Sequence, residues 1–460
     1  MPLLIDVFVA KESYKVQKQY DGMILSLGTS FEPLVLSIRV LKPDRVCFLF
    51  TEASREFLDP VVKFTGLSLS QCDSRLVDKD NPLQIYQAIK DIYREWGYPS
   101  NLALDFTGGT KAMSGGSAMA GGLIGAEMVY IASSKYLANL RRPFPGSEHL
   151  EFIPNPYQVF GDLEEEKAFA SIAKYDYQNA YRIFAEIESQ VLDPRRYHVL
   201  SLLCRTYDAW DNLDIQTART NMAAVVEDVR RFAAFQKDFI LAKKLPILEL
   251  QLQALNSLNN RFSTLCKGLK SRKHKEALEI PDILGDREFV LALMFTLYCN
   301  ARRREEQGKY DMASLLLYRL LELISQVRLA AYGLDTVLPD YALLPQGLDE
   351  LLAKINAKSE KCKNIRPMLE LPEQISLLAG YLILAGLEDE LALSIHLDRL
   401  QGQVAARNSN IFAHGFDFID ASTCHKFREL VDSVFGVFLS IWKEDMSKLY
   451  DRYKFIKKFK

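Results

Sequence analysis

The chain has 460 residues, 48% of them hydrophobic and 25% charged, with a formal net charge of -2. At roughly 150 residues per domain this length suggests two or three domains, and the composition is that of a packed globular protein, not a disordered or fibrous one. A near-neutral balance excludes a global positive field for nonspecific nucleic-acid binding, so any contact with RNA or nucleotide must come from local sites.

The N-terminal run MPLLIDVFVAKESYK lacks a basic lead and a small-residue cleavage site, so it does not read as a signal peptide. Between 23 and 130 short β-type runs alternate with helical ones. GMILSL, RVCFLF, NLALDF and AEMVYI are the clearest strands, with CDSRLV weaker. Among them lie EPLVLSIRVL, SREFLDPVVKF, PLQIYQAIKDIYREW and TKAMSGGSAMAGGL, each with helical apolar spacing. This alternation predicts a parallel sheet covered by helices on both faces, with ligands at the carboxyl ends of its strands. The uncharged stretch within 112–126 holds five glycines and falls short of the about 20 residues a membrane span needs, so no membrane segment is expected.

RRPFPGSEH, the strand-like LEFIP and then NPYQVFGD mark a boundary near 158. Beyond it strand patterns nearly vanish and helical periodicity takes over, with a second break at EIPDILGD. The expected layout is an α/β domain over 1–158, a helical middle domain over 159–285 and an all-α C-terminal domain over 286–460. KYDYQNAYRIFAEI and GKYDMASLLLYRLLEL look alike, but two copies without a fixed period fall short of a repeat array. Seven cysteines, Cys47, Cys72, Cys204, Cys266, Cys299, Cys362 and Cys424, include no CxxC pair. They read as free cytosolic thiols, neither a disulfide framework nor a zinc site.

Two loops carry anion-binding chemistry. One follows GMILSL and contains Gly28, Thr29 and Ser30; the other follows NLALDF and contains Thr107, Gly108, Gly109, Thr110 and Lys111. Both lie where a strand gives way to a helix, so backbone N–H groups and helix dipoles can face a phosphate. Neither has the glycine pattern of a dinucleotide fold or of a P-loop. The structural alternative is a pair of tight, capped turns. Gly115, Gly116, Gly121, Gly122 and Gly125 sit in the following helix, where each interior glycine costs up to about 1 kcal/mol relative to alanine. Close packing against the sheet or against a second subunit would offset that cost.

GMILSLGTSFEP and LDFTGGTKAMSGG resemble the two ligand-binding motifs of the CARF domain, the Rossmann-like sensor of CRISPR-associated proteins. The resemblance covers about 22–131 and extends through RRPFPGSEH. It implies a homodimer that binds a cyclic oligoadenylate across its two-fold axis, with Gly28, Thr29, Ser30 and Thr107, Gly108, Gly109, Thr110, Lys111 as binding residues.

The second constellation is ARNSNIFAHG, in which Arg407 and His414 stand seven apart. On a continuous helix that spacing returns nearly to the same face, about 10 Å along the axis. Histidine titrates near neutrality and moves protons, while the arginine fork holds phosphate. The bare spacing is weak, since Arg142 and His149 also fit it, but Pro143, Pro145 and Gly146 break any helix between those two. Arg407 is followed by Asn408 in a helical context, and the segment resembles the R-N-x5-H signature of HEPN ribonucleases. DMASLLLYRLLELISQVRL resembles the long first helix of that fold. The remaining His198, His274, His396 and His425 have no comparable partners and are expected to be structural or surface residues. Arg319 and Glu322 read as an intrahelical pair. The basic segments KGLKSRKHK and YKFIKKFK read as solvated surface or a frayed tail.

Together the resemblances imply a cytoplasmic type III CRISPR ancillary endoribonuclease cutting single-stranded RNA, with cyclic oligoadenylate as activator and neither metal nor cofactor. The implied roles are His414 as acid or base, Arg407 as stabiliser of the phosphorane and Asn408 as orienting residue, with a 2',3'-cyclic phosphate as product. Two rival readings are a sensor whose helical half only binds another molecule, and an enzyme whose N-terminal loops degrade the messenger.

Overall fold

The computed structural model describes residues 2–137, 142–271, 280–411 and 415–459. Two compact units divide the chain, one comprising 1–163 with 190–192, the other 164–189 with 193–460.

The first unit holds strands β1 (Gly22–Ser26), β2 (Val46–Phe50), β3 (Cys72–Leu76), β4 (Leu102–Asp105), β5 (Glu127–Ser133), β6 (Tyr136–Leu137), β7 (Arg142–Pro143) and β8 (Glu148–Ile153). Its helices are α1 (Pro2–Glu12), α2 (Glu32–Leu41), α3 (Leu58–Thr65), α4 (Pro82–Glu95), α5 (Lys111–Ile124) and α6 (Pro156–Phe160). The main sheet runs β3-β2-β1-β4-β5-β8. Its first five strands are parallel, as expected, while β8 joins the edge antiparallel to β5.

Strand alternation divides the core in two. Met23, Leu25, Val46, Phe48 and Ala103 pack with α1, α2 and α3 residues such as Phe8, Leu34 and Val61. Their neighbours Ile24, Cys47, Leu49, Leu102 and Leu104 pack with Ile85 and Ile89 of α4 and Met113 and Ala120 of α5. Both sheet faces are therefore buried, which is why these strands read as unbroken apolar runs. The strand order reverses between β1 and β4, so their carboxyl ends form the switch point of the sheet.

The glycines of α5 pack mainly within this unit. A Cβ on Gly116 would lie 2.7 Å from the Pro82 carbonyl oxygen, on Gly121 3.3 Å from Leu104 and on Gly122 3.0 Å from Tyr157. Gly115 faces open space, and Gly125 (φ 71°) ends the helix in the left-handed region.

The second unit is helical: α7 (Asp162–Ala173), α8 (Tyr177–Gln190), α9 (Arg195–Asp211), α10 (Ile215–Phe235), α11 (Leu245–Ser271), α12 (Ile280–Leu284), α13 (Arg287–Glu306), α14 (Tyr310–Ala330), α15 (Leu348–Ser359), α16 (Leu377–Gly386), α17 (Glu390–Leu393), α18 (Leu397–Asn408), α19 (Ala421–Ile441) and α20 (Met446–Tyr453). The break expected at EIPDILGD contains the short α12 and then Asp286, whose side chain caps α13 by accepting from Phe289 N at 3.2 Å. Helix α14 is central, packing against α13, α16 and α19. Part of KGLKSRKHK lies outside the described residues. No described helix is long and apolar enough to cross a membrane.

YKFIKKFK is not a frayed tail. Tyr453, Phe455 and Ile456 are buried, with Phe455 stacked on Tyr207 at 4.1 Å and covered by the Arg303 guanidinium at 3.9 Å. Its lysines alternate with apolar residues, so the charge count hid an apolar face. Arg319 and Glu322 do form the intrahelical pair expected of them, at 2.7 Å.

Candidate functional site

In the first unit the loops after β1 and β4 meet backbone to backbone. A Cβ on Gly28 would stand 2.6 Å from Gly109 N, and one on Gly108 would stand 2.3 Å from the Ser26 carbonyl oxygen. Gly109 adds a φ of 90°, reserved in practice for glycine. The glycines thus let two strand ends at the switch point share one surface.

Around them the hydroxyls divide their roles. Thr107 Oγ1 accepts from Ile131 N at 2.8 Å. Thr110 caps α5 by accepting from Met113 N at 3.3 Å and donates to the Lys79 carbonyl oxygen at 2.5 Å. Thr29, Ser30 and Lys111 are exposed. The first turn of α5 carries no acid and begins with Lys111, whereas Glu32 stands in the first turn of α2. The dipole and charge favourable to an anion are therefore concentrated at α5.

Beneath this surface lies Asp105, 1% exposed. Its Oδ1 accepts from Thr107 N at 2.8 Å, and its Oδ2 makes no hydrogen bond within the distance and angle of a normal one. Burial raises the Asp105 pKa, opposed in part by the Ser37 and Thr107 contacts. A carboxylate in a strand-end motif invites a polar reading; its full burial is set by tertiary packing and is not visible in sequence.

In the second unit α18 ends at Asn408, so the seven-residue spacing of Arg407 and His414 is not a helical one. Arg407 lies in the last turn of α18, Asn408 is its exposed final residue, and His414 lies outside the described residues. The chain turns at once into a closed loop. Asp417 N donates to Ser409 O at 2.9 Å, Ile411 N to Asp417 O at 3.0 Å and Gly415 N to Asn410 O at 3.2 Å. Local side-chain chemistry drives this departure from the helix, since Asn410 Nδ2 donates to Asp417 O at 3.1 Å and Ser409 Oγ to Ala406 O at 2.9 Å. A Cβ on Gly415 would lie 1.9 Å from Ser409 O, a contact only glycine permits.

The competing pair, Arg142 and His149, falls on β7 and β8 and shares no helix. Of the other histidines, His198 meets Glu188 at 2.9 Å and His425 meets Glu429 at 3.4 Å, both on the surface. Sequence reasoning passed over Asp311, which accepts from Asn410 Nδ2 and, at 2.8 Å, from Ile419 N.

Residues 283–436 match the model of the Csm6 HEPN domain, and residues 160–255 match that of the Csm6 6H domain. The CRISPR system endoribonuclease Csm6 of Thermus thermophilus is 29% identical over 417 residues, 88% of this chain and 82% of its own. Among solved structures, Enterococcus italicus Csm6 bound to cyclic hexa-2'-fluoro-hexa-dAMP aligns over 95% of this chain and 97% of its own, with 12% identity and a TM-score of 0.48. Can2 from Sulfobacillus thermosulfidooxidans, in complex with cyclic tetra-adenylate, aligns over 37% and 49% with 16% identity and a TM-score of 0.24. With both helical segments matched to Csm6 models and a Csm6 relative aligned over 88% of this chain, the chain belongs to the CARF-HEPN family of CRISPR-associated proteins.

Proposed function

We propose that this chain is a type III CRISPR ancillary endoribonuclease that cleaves single-stranded RNA when its N-terminal domain binds a cyclic oligoadenylate. The observation that carries the reading is the coincidence of Arg407, Asn408 and His414 with the segment matched to the Csm6 HEPN model. The layout is a sensor over 1–158, a helical connection over 159–285 and the nuclease over 286–460.

At the sensor, Lys111 and the N-terminus of α5 hold phosphate, while Gly28, Gly108 and Gly109 allow its close approach to backbone N–H groups. Thr29 and Ser30 complete the rim, and Thr107 and Thr110 fix the loop that carries these groups. At the nuclease, the RNA 2'-hydroxyl attacks the adjacent phosphate. His414 transfers the proton, Arg407 stabilises the charge on the phosphorane and Asn408 orients the pair. The products are a 2',3'-cyclic phosphate and a 5'-hydroxyl. This chemistry runs on side chains alone, so cleavage persists in excess EDTA.

The test is an RNA cleavage assay with cyclic oligoadenylates of several ring sizes, run on the wild type and on His414→Ala, Arg407→Ala and Lys111→Ala. Cleavage with one ring size, lost in His414→Ala and Arg407→Ala without loss of activator affinity, supports the reading. Lys111→Ala should instead weaken activator binding. Full activity of His414→Ala overturns the catalytic assignment.

A further inference from the structure

Between β7 and β8 the chain makes a tight turn, the middle of RRPFPGSEH. Ser147 N donates to the Phe144 carbonyl oxygen at 3.0 Å, and Gly146 takes a φ of 87°. The turn approaches α1 closely, so that a Cβ on Gly146 would lie 4.0 Å from Leu4 Cδ2. Between that turn, α1, α2 and the loop after β1 lies a cavity of about 470 Å³. Sites for small ligands run from about 300 to 1,000 Å³.

The cavity is apolar within and acidic at its rim. Ile5, Phe8, Val35 and Leu36 are its buried wall, while Leu4 and Val7 of α1 stay exposed along it. Pro33 and Pro145 add rings that carry no N–H donor. Two carboxylates, Glu32 and Glu148, also line it. Glu148 accepts from Gly146 N at 2.7 Å, whereas Glu32 is exposed and has no hydrogen-bond or ion-pair partner among the described residues. Lys11, on the same lining, is paired with Glu12 at 3.3 Å. Such a lining repels phosphate and suits a flat apolar ring that bears an amine. Ser30 belongs both to this lining and to the loop after β1, so the cavity is continuous with the surface assigned to phosphate. A nucleotide there divides by charge: its phosphate goes to the acid-free first turn of α5 and its base to the acidic cavity.

We propose that this cavity takes one adenine of the activator, the ring packed between α1 and Pro145 and its exocyclic amine donating to Glu32; this rests on the reading of the N-terminal domain as a cyclic-oligoadenylate sensor. The apolar walls admit any purine, and the carboxylate selects adenine. Inosine presents a carbonyl oxygen where adenine presents the amine, and that oxygen would face Glu32 with no proton between them.

The experiment is calorimetry on the full chain with the cyclic oligoadenylate that the wild type binds and with the cyclic oligoinosinate of the same ring size. The proteins are wild type, Val7→Trp and Glu32→Gln, each also followed by thermal unfolding and native mass spectrometry. Val7→Trp fills the cavity from an exposed position and should weaken oligoadenylate binding at least about tenfold. The wild type should prefer oligoadenylate to oligoinosinate by about tenfold or more, the strength of hydrogen bonds to a charged acceptor. Glu32→Gln offers both an acceptor and a donor, so that preference should fall to less than about threefold. Should Val7→Trp fail to fold, the loss of preference in Glu32→Gln decides by itself. Wild-type affinity in a folded Val7→Trp, equal affinity of the wild type for the two rings, or an unchanged preference in Glu32→Gln overturns the proposal. A Val7→Trp that is monomeric where the wild type is dimeric assigns the groove to a second copy of the chain and overturns it as well. A wild type that binds no oligoadenylate overturns the sensor reading itself, whereas a wild type that binds beside an unimpaired Val7→Trp overturns the adenine pocket alone.

Discussion

Asp105 accepts from Thr107 N beneath the loop after β4, and its burial should tie the stability of the α/β unit to pH. Burial holds the folded-state pKa above the usual 3.8, so the folded protein keeps its proton more firmly than the unfolded chain. Stability from this group is full below the unfolded pKa and declines as pH rises through the folded one. Asp105→Asn removes that decline. Urea unfolding at a series of mildly acidic to neutral pH values should therefore show the wild type losing stability relative to Asp105→Asn as pH rises; parallel curves would refute it. At this scale the sequence was legible where chemistry is local. Gly28, Gly108 and Gly109 announce the close approach of two strand-end loops by residue type alone. Asp311 was not legible, since the same Lys-Tyr-Asp letters cap a helix at 174–176 and clamp a distant loop at 309–311.

Between elements, the fully buried Asp389 carboxylate fastens the start of α17 to α14. It receives Arg328 Nη2 at 2.5 Å, Tyr332 Oη at 2.9 Å and the Leu391 backbone N at 3.0 Å. Burial first, and then this carboxylate, push the Tyr332 phenol up to about 12. Asp389→Ala strands a guanidinium that is only 15% exposed and should cost about 3–5 kcal/mol in denaturant unfolding, with Asp389→Asn well short of that. A loss below about 1 kcal/mol would show the Arg328 charge to be solvated. Strands were legible because both sheet faces are buried and the apolar runs are unbroken. Helix α1 was not, as its apolar residues follow no clean period and its docking depends on Phe8 meeting α2. The end of α18 was missed for a related reason: helical spacing from Arg407 to His414 ignores the Asn410 side chain, which competes for the backbone.

At the level of the assembled protein, one set of loops exposes Thr29, Ser30, Gly109 and Lys111, which on the proposed reading would contact only part of a large ring. Two sets about a two-fold axis would each hold half of it. Native mass spectrometry with the activating ring should show two chains and one ring; two rings per dimer, or a monomer that binds and cuts normally, would refute this arrangement. The division into an α/β unit and a helical one was readable from the change of period near 158, but the burial of 453–459 among helices from the start of the second unit was not, because no local pattern reports a partner nearly 300 residues away. That burial sets an order of events during synthesis. Phe455 stacks on Tyr207 and packs against Tyr177 and Trp210, while Phe459 stacks on Phe169. A ribosome that has released the first 163 residues has supplied nearly everything the sheet needs, so the sensor can close early. The helical unit cannot complete its aromatic core until residues 453–459 emerge, so it finishes folding after the α/β unit.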